Sequence, residues 1–164
     1  WIITTNGHMD FSDYLVKYLD KLNIYSFSIS IDSVHKENFR KIRVNGDLNK
    51  TLNFLFKAQE FEEKYKKNFY LNVNFLIQKD NALELNEVLN YFNTKNLKVY
   101  PILLREPKEY SILDLPTPQL KTILENYLTL AESNMYAKNI SLKIFNELPA
   151  NEKVHYIDEL QRVK

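Results

Sequence analysis

Residues 26–32 read SFSISID: Ser26, Phe27, Ser28, Ile29, Ser30, Ile31, Asp32. Apolar residues hold one parity, and three hydroxyls followed by a carboxylate hold the other. That is the period of a β-strand with one dry face and one polar face. Helical patterns flank the stretch on both sides, and a strand that alternates with helices is normally apolar on both faces. The polar parity must therefore meet something other than a layer of helices.

Working outward, Trp1 to Thr5 reads as a strand stopped by the turn pair Asn6-Gly7. Ser12 or Asp10 can cap a helix over 13–22, where Tyr14, Leu15, Tyr18, Leu19 and Leu22 recur at helical spacing. After the quoted strand comes a loop with a short helix. A long helix over 48–65 follows, its faces set by Leu52, Leu55, Phe56, Gln59 and Glu63. NFYLNVNFLIQ, 68–78, is a further strand, with Asn72 and Asn74 on one parity. Asp80 or Asn81 caps the next helix, whose Leu83, Leu85, Val88, Leu89 and Phe92 point inward. LKVYPILL, 97–104, is a fourth strand, which Pro101 consigns to an edge or a bulge. Beyond a proline-punctuated loop the pattern predicts a helix over 118–134, a short strand at SLKIF (141–145) and a last helix over 150–163.

The order β-α-β-α-β-α-β-α points to an α/β chain with four parallel strands, adjacent in sequence order. In a doubly wound sheet, rows of Ser and Asn would lie under helices at a cost of roughly 1–3 kcal/mol per unpaired group. In a (β/α) barrel one face meets the helices and the other meets the lumen. The expected fold is thus an arc of a TIM-like barrel. Ser28, Ser30 and Asn74 line its interior, and Phe27, Ile29, Ile31 and Phe75 lie under the helices.

Composition excludes several classes. The 164 residues are 45% hydrophobic and 26% charged, with 22 basic and 21 acidic side chains and a net charge of +1. No electrostatic case for nucleic acid follows from that balance. The longest apolar runs, such as FLI at 75–77, are too short for a bilayer. The absence of cysteine excludes disulfides and thiolate chemistry within the chain, and two glycines make no phosphate-cradling loop. His8, His35 and His155 read as solvated side chains, not metal ligands. The chain opens WIITTNG, an apolar strand already under way without an initiator Met, and so reads as a piece of a longer protein.

The run ITTNG (3–7), then SISIDS (28–33), then FRKIR (39–43), then NVNFLIQKDN (72–81), resembles the middle of radical S-adenosylmethionine enzymes. The resemblance implies a partial (β/α)6 barrel, with 1–106 supplying its third to sixth strands and 107–164 continuing the same domain as helices. The family's defining CxxxCxxC loop, which holds a [4Fe–4S] cluster, is absent from this sequence. The chain by itself is therefore expected to hold neither cluster nor S-adenosylmethionine and to be inactive. Its complete form would use both on a small-molecule or peptide substrate in the cytoplasm, without nucleic acid or membrane. The resemblance further implies that Ser30 and Asp32 touch the ribose of S-adenosylmethionine and that Arg43 pairs with its methionyl carboxylate. Thr5 and Asn6 end the first strand on the same rim, Asn74 faces the lumen, and backbone groups of Leu76, Ile77 and Gln78 lie by the adenine.

Blander roles for the same residues stay open. Ser30 and Asp32 could cap the short helix that follows them. Arg43 could be a surface side chain beside Glu37, and Asn72 and Asn74 could pair with each other or with nearby backbone. A different class, a sugar- or nucleoside-binding (β/α) module or a non-catalytic scaffold, shares this pattern. The unguarded strand 1–5, with no Lys, Glu or Pro, is expected to self-associate edge to edge.

Overall fold

The computed structural model describes residues 1–162. Residue 163, the expected end of the last helix, lies outside them. The chain is α/β, with four parallel strands in the order β1-β2-β3-β4: β1 (Ile2–Thr5), β2 (Ser26–Ser30), β3 (Tyr70–Ile77) and β4 (Lys98–Leu103). Between them run α1 (Asp13–Lys21), α2 (Lys36–Ile42), α3 (Leu48–Lys64) and α4 (Leu85–Asn93). After β4 come two 3₁₀ turns, α5 (Thr117–Ala131), α6 (Met135–Glu147), α7 (Ala150–Lys153), a third 3₁₀ turn and α8 (Ile157–Arg162). The sheet is open, with β1 and β4 at its edges, and the edge position of β4 is what admits Pro101.

Two compact units divide the chain. The first comprises Trp1–Leu76 and Glu87–Tyr100; the second comprises Ile77–Asn86 and everything from Pro101 onward. In the first unit the register sets Thr4 beside Ser28, Ser28 beside Asn72, and Ser30 beside Asn74. Phe27, Ile29, Val73 and Phe75, on the opposite parity, are fully buried. Phe27 meets Phe54 of α3 edge to face, with ring centroids 6.0 Å apart. The helix side of the sheet is thus dry, and the Ser/Asn row lies on the other.

Helix starts follow the expected chemistry where a short polar residue precedes an apolar run. Ser12 caps α1 by accepting from the Leu15 N–H, and Asp47 caps α3 by accepting from the Lys50 N–H at 3.2 Å. The buried face of α3 consists of Thr51, Phe54, Leu55, Ala58 and Phe61, whereas Leu52 and Phe56 are only half-buried. The expected inward set was centred one residue away from this stripe. Leu83 is exposed and not inward-pointing: residues 79–83 are turns, and α4 starts only at Leu85, with Leu85, Val88 and Phe92 buried. Asn81 closes the turn instead of capping a helix there, its Oδ1 accepting from the Gln78 N–H at 2.8 Å.

The second unit corrects two further expectations. Residues 141–145 are not a strand; they lie inside α6, whose buried Ala137, Ile140, Ser141 and Ile144 recur at helical spacing. Ser141 suits that position because its hydroxyl donates to the Ala137 carbonyl at 2.9 Å, satisfying a buried polar group without leaving the helix. Asn134 caps α6 by accepting from the Tyr136 and Ala137 N–H groups. The expected helix over 150–163 is divided by the 3₁₀ turn at Val154–Tyr156. Helix α5 packs against α6, and the Tyr156 hydroxyl donates to Glu125 Oε1 of α5 at 2.8 Å.

Candidate functional site

Two places in the first unit gather the residues singled out by sequence. One is just past the carboxyl end of β2. Asp32 is 2% exposed, and its Oδ2 accepts from Arg43 Nε and from Arg43 Nη2, each at 2.7 Å. Its Oδ1 accepts from the Leu76 N–H of β3 at 2.9 Å. The carboxylate thereby carries one strand-end hydrogen bond and one ion pair, the arrangement that lets a buried charge persist.

Local structure explains how Arg43 reaches it. Helix α2 ends at Ile42, and the Arg43 N–H closes that end on the Phe39 carbonyl. Gly46 then turns the chain back with its N–H on the Arg43 carbonyl at 2.6 Å. A Cβ on Gly46 would stand 2.7 Å from that oxygen and 2.9 Å from the Phe39 ring, so no side chain fits there. Arg43 is therefore the partner of Asp32 and not a surface side chain beside Glu37. The residue at the cap position of α2 is His35, not Ser30 or Asp32.

The other strand-end residues are engaged within the chain. Thr5 Oγ1 accepts from the Gly7 N–H at 3.2 Å, and Asn6 Oδ1 accepts from the His8 N–H at 3.1 Å. These side chains shape the turn at Gly7, which takes φ +67 close against Thr51 and Ile29. The Leu76 N–H is on Asp32, the Gln78 N–H is on Asn81, and the Ile77 carbonyl accepts from the Leu104 N–H at 3.0 Å. The Ile77 side chain is fully buried. His8 Nε2 accepts from the Asp47 N–H at 2.9 Å, and His35 pairs with Glu87 at 2.8 Å.

The second place is the polar face itself. A concavity of about 500 Å³ lies over the amino-terminal halves of β2 and β3, bordered by Tyr100 of β4. Ser26, Ser28, Asn72 and Asn74 form its polar lining, and Tyr25 and Tyr70 stand at its mouth with rings 5.4 Å apart, edge to face. Asn72 Nδ2 donates to Ser26 Oγ and to the Tyr70 carbonyl, each at 3.2 Å, while its buried Oδ1 has no hydrogen-bond partner among the described residues. Of the expected site residues, Asn74 lines this concavity, and Ser30 is its neighbour in register. Tyr25, Tyr70 and Tyr100 were missed as site residues, although Tyr70 shares the strand parity of Asn72 and Asn74.

Neither place is built for a metal. The sequence contains no cysteine, and among the described residues no group of three or more His, Asp or Glu could hold an ion. Of the strand-end groups, Asp32, Arg43 and the Leu76 N–H are bonded to one another. No protein-family model and no curated protein matches the chain. No helix among the described residues is long and apolar enough to cross a membrane.

Proposed function

We propose that the chain is an arc of a partial (β/α)6 barrel belonging to a radical S-adenosylmethionine enzyme. On this reading the complete gene product reductively cleaves S-adenosylmethionine at a [4Fe–4S] cluster and takes a hydrogen from a small-molecule or peptide substrate. This chain provides wall and not cluster. One observation carries the proposal: Ser28 and Asn72, and then Ser30 and Asn74, pair in register across adjacent parallel strands whose other face is apolar and helix-covered. An open α/β sheet covered on both faces has no use for such a row, whereas a lumen wall does. The ordered resemblance of ITTNG, SISIDS, FRKIR and NVNFLIQKDN supports the same reading.

A ligand-binding (β/α) module without cluster chemistry is the second reading. It is favoured by the Asp32–Arg43 pair, which leaves both side chains committed to each other. The two readings separate in one experiment. The complete gene product, reconstituted with iron and sulfide under anoxic conditions and then reduced, is assayed for 5′-deoxyadenosine. Release of the nucleoside, together with a CxxxCxxC segment in the same polypeptide, supports the enzyme. A complete polypeptide with no such segment and no release overturns it in favour of the binding module.

A further inference from the structure

We infer that the concavity over the amino-terminal halves of β2 and β3 is a binding site for a neutral sugar ring, separate from the carboxyl-end groups around Asp32. The site goes beyond the radical-enzyme reading and does not depend on it.

Its chemistry follows from the lining. The side chains bordering it are serines, asparagines and tyrosines, with no Lys, Arg, His, Asp or Glu among them. A charged ligand would lose hydration there without gaining a counter-charge, so the occupant is neutral. The volume of about 500 Å³ suits a small molecule. Amides and hydroxyls both donate and accept, which fits a ligand bearing several hydroxyls that do the same. The exposed rings of Tyr25 and Tyr70 offer an aromatic edge and face to the apolar C–H side of such a ring.

Asn72 points the same way. At 4% exposure its amide is held by Ser26 and the Tyr70 carbonyl through Nδ2 alone. Its Oδ1 is covered and unpartnered among the described residues, which is an unusual state for a buried acceptor. The χ2 torsion of Asn is broad, so a modest turn of the amide brings Oδ1 to a hydroxyl donor entering the concavity. An incoming C–OH group supplies the missing donor, and Ser28 and Asn74 flank it on the adjacent positions of the row.

The test is binding, read by saturation-transfer NMR on the chain with the methyl glycosides of glucose, galactose and mannose as probes. Transfer to ring protons of at least one glycoside is expected. Tyr70→Ala, at an exposed position that leaves the core intact, and Asn74→Ala should each weaken binding by about five- to tenfold, as loss of one contact predicts. Asn72→Ser tests the orphaned acceptor in the same way, and thermal melts establish that each variant is folded. Glucose 6-phosphate should bind more weakly than the neutral glycosides, and adenosine no better than they do. The inference is overturned if no glycoside shows transfer above glycerol, or if the phosphate or adenosine is preferred. It is equally overturned if folded Tyr70→Ala and Asn74→Ala bind like the parent. None of these outcomes bears on release of 5′-deoxyadenosine, so the two readings fail separately.

Discussion

Replacing Arg43 by Met keeps the length of the side chain and removes its charge. In the parent, two guanidinium nitrogens each lie 2.7 Å from Asp32 Oδ2, and the Asp32 side chain is only 3% exposed. Removing one partner of a buried pair costs about 3–5 kcal/mol, because the other charge stays behind without compensation. Arg43 itself is 27% exposed. Water can approach the carboxylate along the path the guanidinium leaves, which places the expected loss at the lower end, about 3 kcal/mol. With a urea slope of roughly 1.5–3 kcal/mol per molar, the midpoint should fall by about 1–2 M at unchanged slope. Asp32→Asn/Arg43→Met removes both charges and retains an oxygen for the Leu76 N–H, so it should sit within about 1 kcal/mol of the parent. That recovery is the decisive reading, because it isolates the coupling from the packing change. A single Arg43→Met variant that loses less than about 1 kcal/mol would refute the reasoning. So would a double variant as unstable as the sum of its parts.

Gly46→Ala should lose about 1–3 kcal/mol by the same urea assay, since its Cβ would meet the Arg43 carbonyl at 2.7 Å; a neutral result would mean that the α2–α3 turn yields freely. Tyr127 is fully buried in α5 with a hydroxyl that finds no partner among the described residues, so Tyr127→Phe should be neutral or stabilising by up to about 1 kcal/mol, and a clear loss would reveal a partner for that hydroxyl. Burial also pushes the Tyr127 phenol above its ordinary value of 10.0. The stability linked to it is complete below that value and lost as pH rises toward the folded-state one, so alkaline unfolding should be shallower in Tyr127→Phe, followed by phenolate absorbance. Among the described residues no strand neighbours the outer edge of β1, and Ile2 on it is 74% exposed. Sedimentation velocity should therefore show reversible self-association that Ile2→Lys suppresses, and a monomer at every concentration would contradict edge pairing.

The strands were legible because their signal is local. Strict alternation in SFSISID, and alternation over NVNF (72–75), marked both the strand identity and the face, and the observed register pairs the residues that the parity grouped. Helix α6 was misread because SLKI (141–144) alternates when taken alone. Only the preceding Ala137 and Ile140 reveal the longer period. The inward stripe of α3 was misplaced because Thr51 counts as polar in a pattern, although it is fully buried with its hydroxyl on the Asn6 carbonyl at 3.2 Å. The Asp32–Arg43 pair could not be read from spacing. The two residues lie 11 positions apart with a whole helix between them, and their meeting depends on where the turn at Gly46 directs the chain. The concavity was half legible: its Ser and Asn lining came from parity, but its tyrosines became neighbours only through strand order.

The hydrogen bond from the Leu76 N–H to Asp32 Oδ1 has a consequence for how this sequence can drift. The carboxylate stands in for a strand beyond the point where β2 has left the sheet, and it uses only the backbone of residue 76. Proline at position 76 has no N–H to donate and would abolish that bond. Residues 32 and 43 are each tolerable only with the other, so a lineage that loses one charge is driven to lose the other. Among relatives of this chain, residues 32 and 43 should therefore change as a couple.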